Sequence, residues 1–97
     1  MAVIETLTFR LTAGADDAAF LAVDRRLQTE FVYHQPGIVR RTTARSDGGE
    51  WFVVTVWASG ADFDAAAARG QTSPEVAEFV ALLHESSVRT SRYTTLD

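Results

Sequence analysis

The chain has 97 residues, 46% of them hydrophobic and 23% charged, with a formal net charge of −4. Residues 1–97 therefore make one domain of ordinary globular composition, and the acidic balance excludes a general nucleic-acid binder, which needs a basic face. No apolar run approaches the roughly 18 residues of a membrane span, and Met1-Ala2-Val3-Ile4-Glu5 lacks the basic-then-apolar pattern of a secretory leader, so the expected location is the cytoplasm.

Val3 to Thr12 alternates, with Val3, Glu5, Leu7, Phe9 and Leu11 on one side and Ile4, Thr6, Thr8, Arg10 and Thr12 on the other, the pattern of a half-buried strand. Ala13-Gly14-Ala15 interrupts it, and Asp16 or Asp17 offers an N-cap whose charge suits the positive end of a helix. Phe20, Val23, Leu27 and Phe31 then recur at helical spacing as a core-facing stripe, with Arg25, Arg26 and Glu30 on the wet side. That helix must stop before Pro36, because a proline disfavours the helical conformation of the residue preceding it. Gly37 can take the positive φ of a tight turn. A second strand, Ile38 to Arg45, is joined through Ser46-Asp47-Gly48-Gly49 to a third, Glu50 to Trp57. Phe52, Val54 and Val56 oppose Trp51, Val53, Thr55 and Trp57 on this third strand, so both of its faces are apolar and both call for cover.

Ser59 or Asp62 can start a short helix, Ala61 to Arg69, closed by Gly70. Ser73-Pro74-Glu75 opens another, with Ser as N-cap, Pro at the first helical position and Glu in the first turn; its stripe is Val76, Phe79, Val80 and Leu83. Val88 to Leu96 returns to strand character. The resulting order, β-α-β-β-α-α-β, is the split βαβ of an α+β, ferredoxin-like domain: an antiparallel sheet with helices on one face.

The missing residue types are informative. All nine basic residues are Arg, which excludes Schiff-base chemistry and a phosphate-loop lysine within the chain. There is no Cys, hence no disulfide or thiolate chemistry, and no Asn, so a mechanism that needs an asparagine amide must use a Gln or a backbone group instead. His34 ends the first helix and can serve either as a general base or as an exposed cap. His84, four residues beyond Val80, falls beside the apolar stripe of the last helix and reads either as a base facing the core or as a rim residue. The two histidines share no metal-binding spacing, and no metal site is expected. Arg40 and Arg41 point to opposite faces; the inward one needs a carboxylate from Asp24, Glu30 or Glu50, or else meets an anionic ligand. Trp57 and Trp51 lie on one face of the third strand. Trp57 reads either as packing or as a flat wall for a ligand, and Trp51 as packing.

With the Gln35-Pro36-Gly37 turn, Arg40-Arg41 on the next strand, and Trp57 followed by Ser59 and Phe63, the chain resembles the antibiotic-biosynthesis-monooxygenase-like family. The resemblance implies a dimeric α/β barrel, a homodimer, and cofactor-independent oxygenation of an electron-rich aromatic such as a phenol or quinol. In that scheme His84, His34 and Arg40 are the candidate catalytic residues, and Trp57, Arg41 and Tyr93 bind the substrate. Haem-degrading members also use an asparagine on the first strand and an axial histidine beyond the tryptophan. Here there is no Asn and the second region is Ala65-Ala66-Ala67-Ala68, so haem degradation is not expected unless His84 takes over as the ligand. The competing reading is a non-catalytic dimeric module that binds a hydrophobic small molecule.

Overall fold

The computed structural model describes residues 1–96. Four strands, β1 (Val3–Phe9), β2 (Ile38–Arg45), β3 (Trp51–Trp57) and β4 (Arg89–Thr94), form one antiparallel sheet in the order β2-β3-β1-β4. Three helices, α1 (Asp17–Glu30), α2 (Gly60–Gly70) and α3 (Pro74–Ala81), complete the α+β, ferredoxin-like fold. The sheet of the single chain is open, with β2 and β4 as its edges. Among the described residues no helix is long and apolar enough to cross a membrane.

Strand parity decides which side chains meet the helices. Val3, Phe9, Trp51, Val53 and Trp57 are all buried, and they alternate with exposed or half-buried neighbours. Phe20 and Leu27 of α1 and Phe79 of α3 pack on Phe9, Trp51 and Val53, while Ala66 of α2 packs on Val3 and Trp57. All three helices thus cover the same face. Register is fixed across it: Glu5 pairs with Thr55 and with Arg92, and Thr55 pairs with Arg41. A one-residue slip would expose this entire set.

Local signals place the helix starts. Asp16 accepts a hydrogen bond from the Ala19 N–H, Ser59 from Asp62, and Ser73 from Val76, each occupying a donor that the first helical turn leaves free. Gly37 takes φ +83°, and its carbonyl accepts a 2.7 Å hydrogen bond from the Ala58 N–H. A Cβ on Gly37 would strike the Asp62 side chain, so the missing side chain lets the start of α2 sit against the β2 turn.

Several boundaries differ from expectation: β1 ends at Phe9 rather than Thr12, and β4 spans Arg89–Thr94 rather than Val88 to Leu96. α1 ends at Glu30, and Val32–His34 forms a 3-10 turn ahead of Pro36, because Phe31 leaves the helical region at φ −127°. Gly70 lies within α2 and takes no positive φ; the C-cap is Gln71 in an ordinary helical conformation. α3 stops at Ala81, so Leu83 and His84 are not helical. Leu83 instead makes an antiparallel bridge with Leu11, and the His84 N–H donates to the Arg10 carbonyl at 2.7 Å.

Candidate functional site

Beneath α2 and the first turns of α3 the covered face of the sheet is incompletely filled. A cavity of about 350 Å³ opens there. Its floor is Glu5 and Leu7 from β1, Val53, Thr55 and Trp57 from β3, and Arg41 from β2. Phe63, Ala66, Ala67 and Gln71 on and just after α2, with Val76 and Phe79 of α3, form much of its wall. Small alanines on the inner side of α2 leave the space that larger residues would fill. The volume lies at the low end of the ~300–1,000 Å³ usual for ligand pockets.

The floor carries a polar row in an apolar setting. Across the sheet in one line run Arg41, Thr55, Glu5 and Arg92. Arg41 is 7% exposed and pairs with Asp24, Nη1 to Oδ1 at 2.8 Å. That contact has ion-pair distance without hydrogen-bond direction, and the bonding of Asp24 runs through Oδ2, which accepts from Thr43 at 2.8 Å and from Gln28 at 3.1 Å. Arg41 Nη1 also donates to Thr43 Oγ1 at 3.3 Å. Among the described residues its Nε and Nη2 have no protein partner, and its guanidinium lies over the Phe79 ring. On the far side, Arg92 donates to Asp64 at 2.9 Å and stacks on Phe63 at 4.6 Å.

Glu5 sits between the two arginines. Burial pushes its carboxyl above the ordinary range, since a charged carboxylate is poorly solvated there; Arg41 and then Arg92 oppose the shift without cancelling it. The Trp57 ring lies against Phe63, and its buried Nε1–H has no hydrogen-bond partner among the described residues. A buried indole N–H normally finds an acceptor, so this donor is available to an occupant of the cavity.

The six residues singled out from the sequence separate into two groups. Trp57 and Arg41 line the cavity. Arg40, His34, His84 and Tyr93 do not. Arg40 lies across the bulge at Ile38/Arg40, paired with Val56 on the open face, and its Nε donates to Thr42. His34 is exposed at the end of the 3-10 turn, whose Val32 is buried in the core. His84 is exposed because α3 ends before it, and its ring meets Ser86 Oγ at 2.9 Å. Tyr93 pairs with Ile4 on the open face and is 55% exposed. Trp51 packs at 4.6 Å on Phe20 in the aromatic core. Sequence reasoning missed Glu5, Thr55 and Gln71 as cavity residues. For Glu5 the signal was present: a carboxylate on the apolar parity of β1, between Val3 and Leu7. Gln71 supplies the one side-chain amide in a cavity that has no asparagine. Among the described residues no group of three or more His, Cys, Asp or Glu side chains could hold a metal ion.

This arrangement, a split βαβ antiparallel sheet with its helices on one face, is the fold of antibiotic-biosynthesis-monooxygenase-like proteins. SnoaB, a cofactor-independent oxygenase from Streptomyces nogalater, superposes with a TM-score of 0.82 over 99% of this chain and 94% of its own, at 23% identity. A provisionally assigned antibiotic biosynthesis monooxygenase from Nitrosomonas europaea gives 0.75 over 98% and 90%, at 12% identity. A conserved protein from Methanosarcina mazei Go1 gives 0.77 over 98% and 93%, at 11% identity. No protein-family model and no curated protein matches the sequence. At these identities the likeness is one of fold.

Proposed function

We propose that the protein is a cofactor-independent monooxygenase acting on a compact, electron-rich aromatic such as a phenol, quinol or anthrone. The observation that carries this reading is the cavity itself: flat walls at Trp57 and Phe63, and a floor where a carboxyl and a guanidinium share one row. An aromatic ring buries well against such walls, and an oxyanion on it meets the free N–H groups of Arg41 and the Nε1–H of Trp57. Once deprotonated, the substrate donates an electron to dioxygen and the two radicals recombine at ring carbon. For an activated methylene, one oxygen atom ends on that carbon and the other leaves as water with the two hydrogens the carbon loses. The protein supplies a water-poor site and fixed dipoles for the developing charge. No His lines the cavity among the described residues, so it offers haem no imidazole ligand.

The open sheet face supports assembly as a homodimer. Phe52, Val54, Val56, Ile4 and Tyr93 alternate outward there, and no helix among the described residues covers them. A second sheet laid on this face would bury them and close a barrel across the two chains. Light scattering at micromolar concentration should return about twice the chain mass of 10.6 kDa; a clean monomer would remove the dimer from the account.

The activity is tested by oxygen uptake with a panel of hydroquinones and anthrones in the absence of added cofactor. Uptake should be lost when Ala67 at the cavity rim is replaced by Trp, which blocks the opening without touching the core. The second reading, a binding module without chemistry, is favoured by the distance of both histidines from the cavity. Tight binding across the panel without oxygen uptake would select it.

A further inference from the structure

We propose that Glu5 is the general base of this cavity, taking the acidic hydrogen of the bound aromatic while Arg41 and Trp57 receive the charge left behind. The inference rests on the cavity reading above and assigns the proton-transfer step to a residue that neither histidine can replace. Glu5 is the only Asp or Glu side chain lining the cavity among the described residues. The charged groups that act on it are two arginines, each already paired. Arg41 on β2 is paired with Asp24 of α1, Arg92 on β4 is paired with Asp64 of α2, and among the described residues no His or Tyr lines the site.

The step balances within the site. The substrate's acidic C–H or O–H bond breaks, its electron pair stays on the ring system, and the proton moves to a Glu5 carboxylate oxygen. A charge that burial disfavours on Glu5 is thereby transferred to an oxyanion beside Arg41 Nε and Nη2 and the unpartnered Trp57 N–H. The same geometry describes the substrate. Glu5 and Arg41 lie two strands apart, about 10 Å between backbones, with Thr55 between them. A flat molecule that spans Thr55 to meet both would carry its acidic hydrogen and its charge-bearing oxygen at separate edges. The central ring of an anthrone has that pattern, and a catechol, with both groups on one edge, does not.

The test is anaerobic, so that proton abstraction is read without oxygen chemistry. 1,8-Dihydroxy-9-anthrone is titrated against the parent protein, Glu5→Gln and Glu5→Asp, and exchange of its methylene hydrogens with D2O is followed by NMR. The parent should bind the probe and accelerate exchange. Glu5→Gln should bind it within about two-fold of the parent and lose about 100-fold or more of the exchange rate, the usual worth of a general base. Glu5→Asp should recover part of that rate. In the parent the exchange rate should rise with pH as Glu5 loses its proton, at a pH above the ordinary carboxylate range, and this profile decides the matter even where a variant does not fold. Binding with equal exchange in Glu5→Gln, or a flat pH profile, would overturn the assignment of Glu5 and leave the cavity reading standing. Failure of the parent to bind the anthrone would overturn both.

Discussion

β3 carries two tryptophans on one face, and the two ends of the strand are built differently around them. At Trp51 the face is filled with rings: Phe20 stands 4.6 Å away, Phe9 and Phe79 surround Phe20, and Phe20 and Phe9 are wholly buried. At Trp57 the neighbours are Val3, Ala66 and Phe63, the helix above contributes alanines, and a cavity remains. The packed end shows what this sheet and these helices achieve when aromatic side chains interlock. The hollow end therefore does not follow from the fold; it follows from small residues on α2 and polar residues on the floor. A pocket of about 350 Å³ lined by Glu5, Arg41 and an unpartnered indole is the feature on which the proposed ligand site rests.

The largest effects should fall at the packed end and at the buried ion pair under the cavity floor. Phe20→Ala removes a fully buried ring and should cost about 3–5 kcal/mol in denaturant titration, with little change in ligand affinity if the variant is still folded. Asp24→Ala leaves Arg41 buried without its anion and should cost a similar amount, about 3–5 kcal/mol. Replacing both partners with apolar residues (Asp24→Leu with Arg41→Met) should restore most of that stability and none of the ligand binding. If the double variant binds normally, Arg41 serves structure alone.

Smaller effects should mark the hollow end. Trp57→Ala should weaken anthrone binding by roughly 1–3 kcal/mol, through lost area and stacking, while destabilising the protein less than Phe20→Ala does. The reverse order would make the two tryptophans equivalent and dissolve the contrast. Gly37→Val places a β-branched residue at φ +83° and against Asp62, so it should cost about 1–3 kcal/mol and shift α2, the helix that roofs the cavity. The smallest change in stability is expected from Glu5→Gln. A carboxyl whose folded value is raised binds its proton more tightly in the folded state, so its contribution is most favourable in acid and is lost as pH rises through the folded value. Thermal melts should therefore place Glu5→Gln above the parent at neutral pH, with the difference closing toward acid.

Much of this was legible in the residues. Ile38–Arg45 as a strand, the Pro-Gly turn and the Ser73-Pro74-Glu75 helix start are local signals, and the β-α-β-β-α-α-β order follows from them. The inward parity of Trp57 followed from alternation alone. Placing Arg41 rather than Arg40 inside required the bulge at Ile38/Arg40, which is a pairing property of β2 with β3. His84 was misplaced because α3 is stopped by the bridge between Leu83 and Leu11, a contact 72 residues apart in the chain that no local pattern announces. Glu5 was readable as a carboxylate on an apolar face, but its neighbours Thr55 and Arg92 are set by register, which alternation does not provide.

The central claim is that the hollow end, beside Trp57, receives a flat aromatic and the packed end does not. Two indole N–H signals are expected in a 15N-labelled sample, assignable with Trp51→Phe and Trp57→Phe. Titration with 1,8-dihydroxy-9-anthrone under anaerobic conditions should move the Trp57 signal saturably, because its N–H gains an acceptor and a ring beside it, and leave the Trp51 signal in place. Movement of the Trp51 signal alone, or saturating ligand with neither signal moved, would contradict the account.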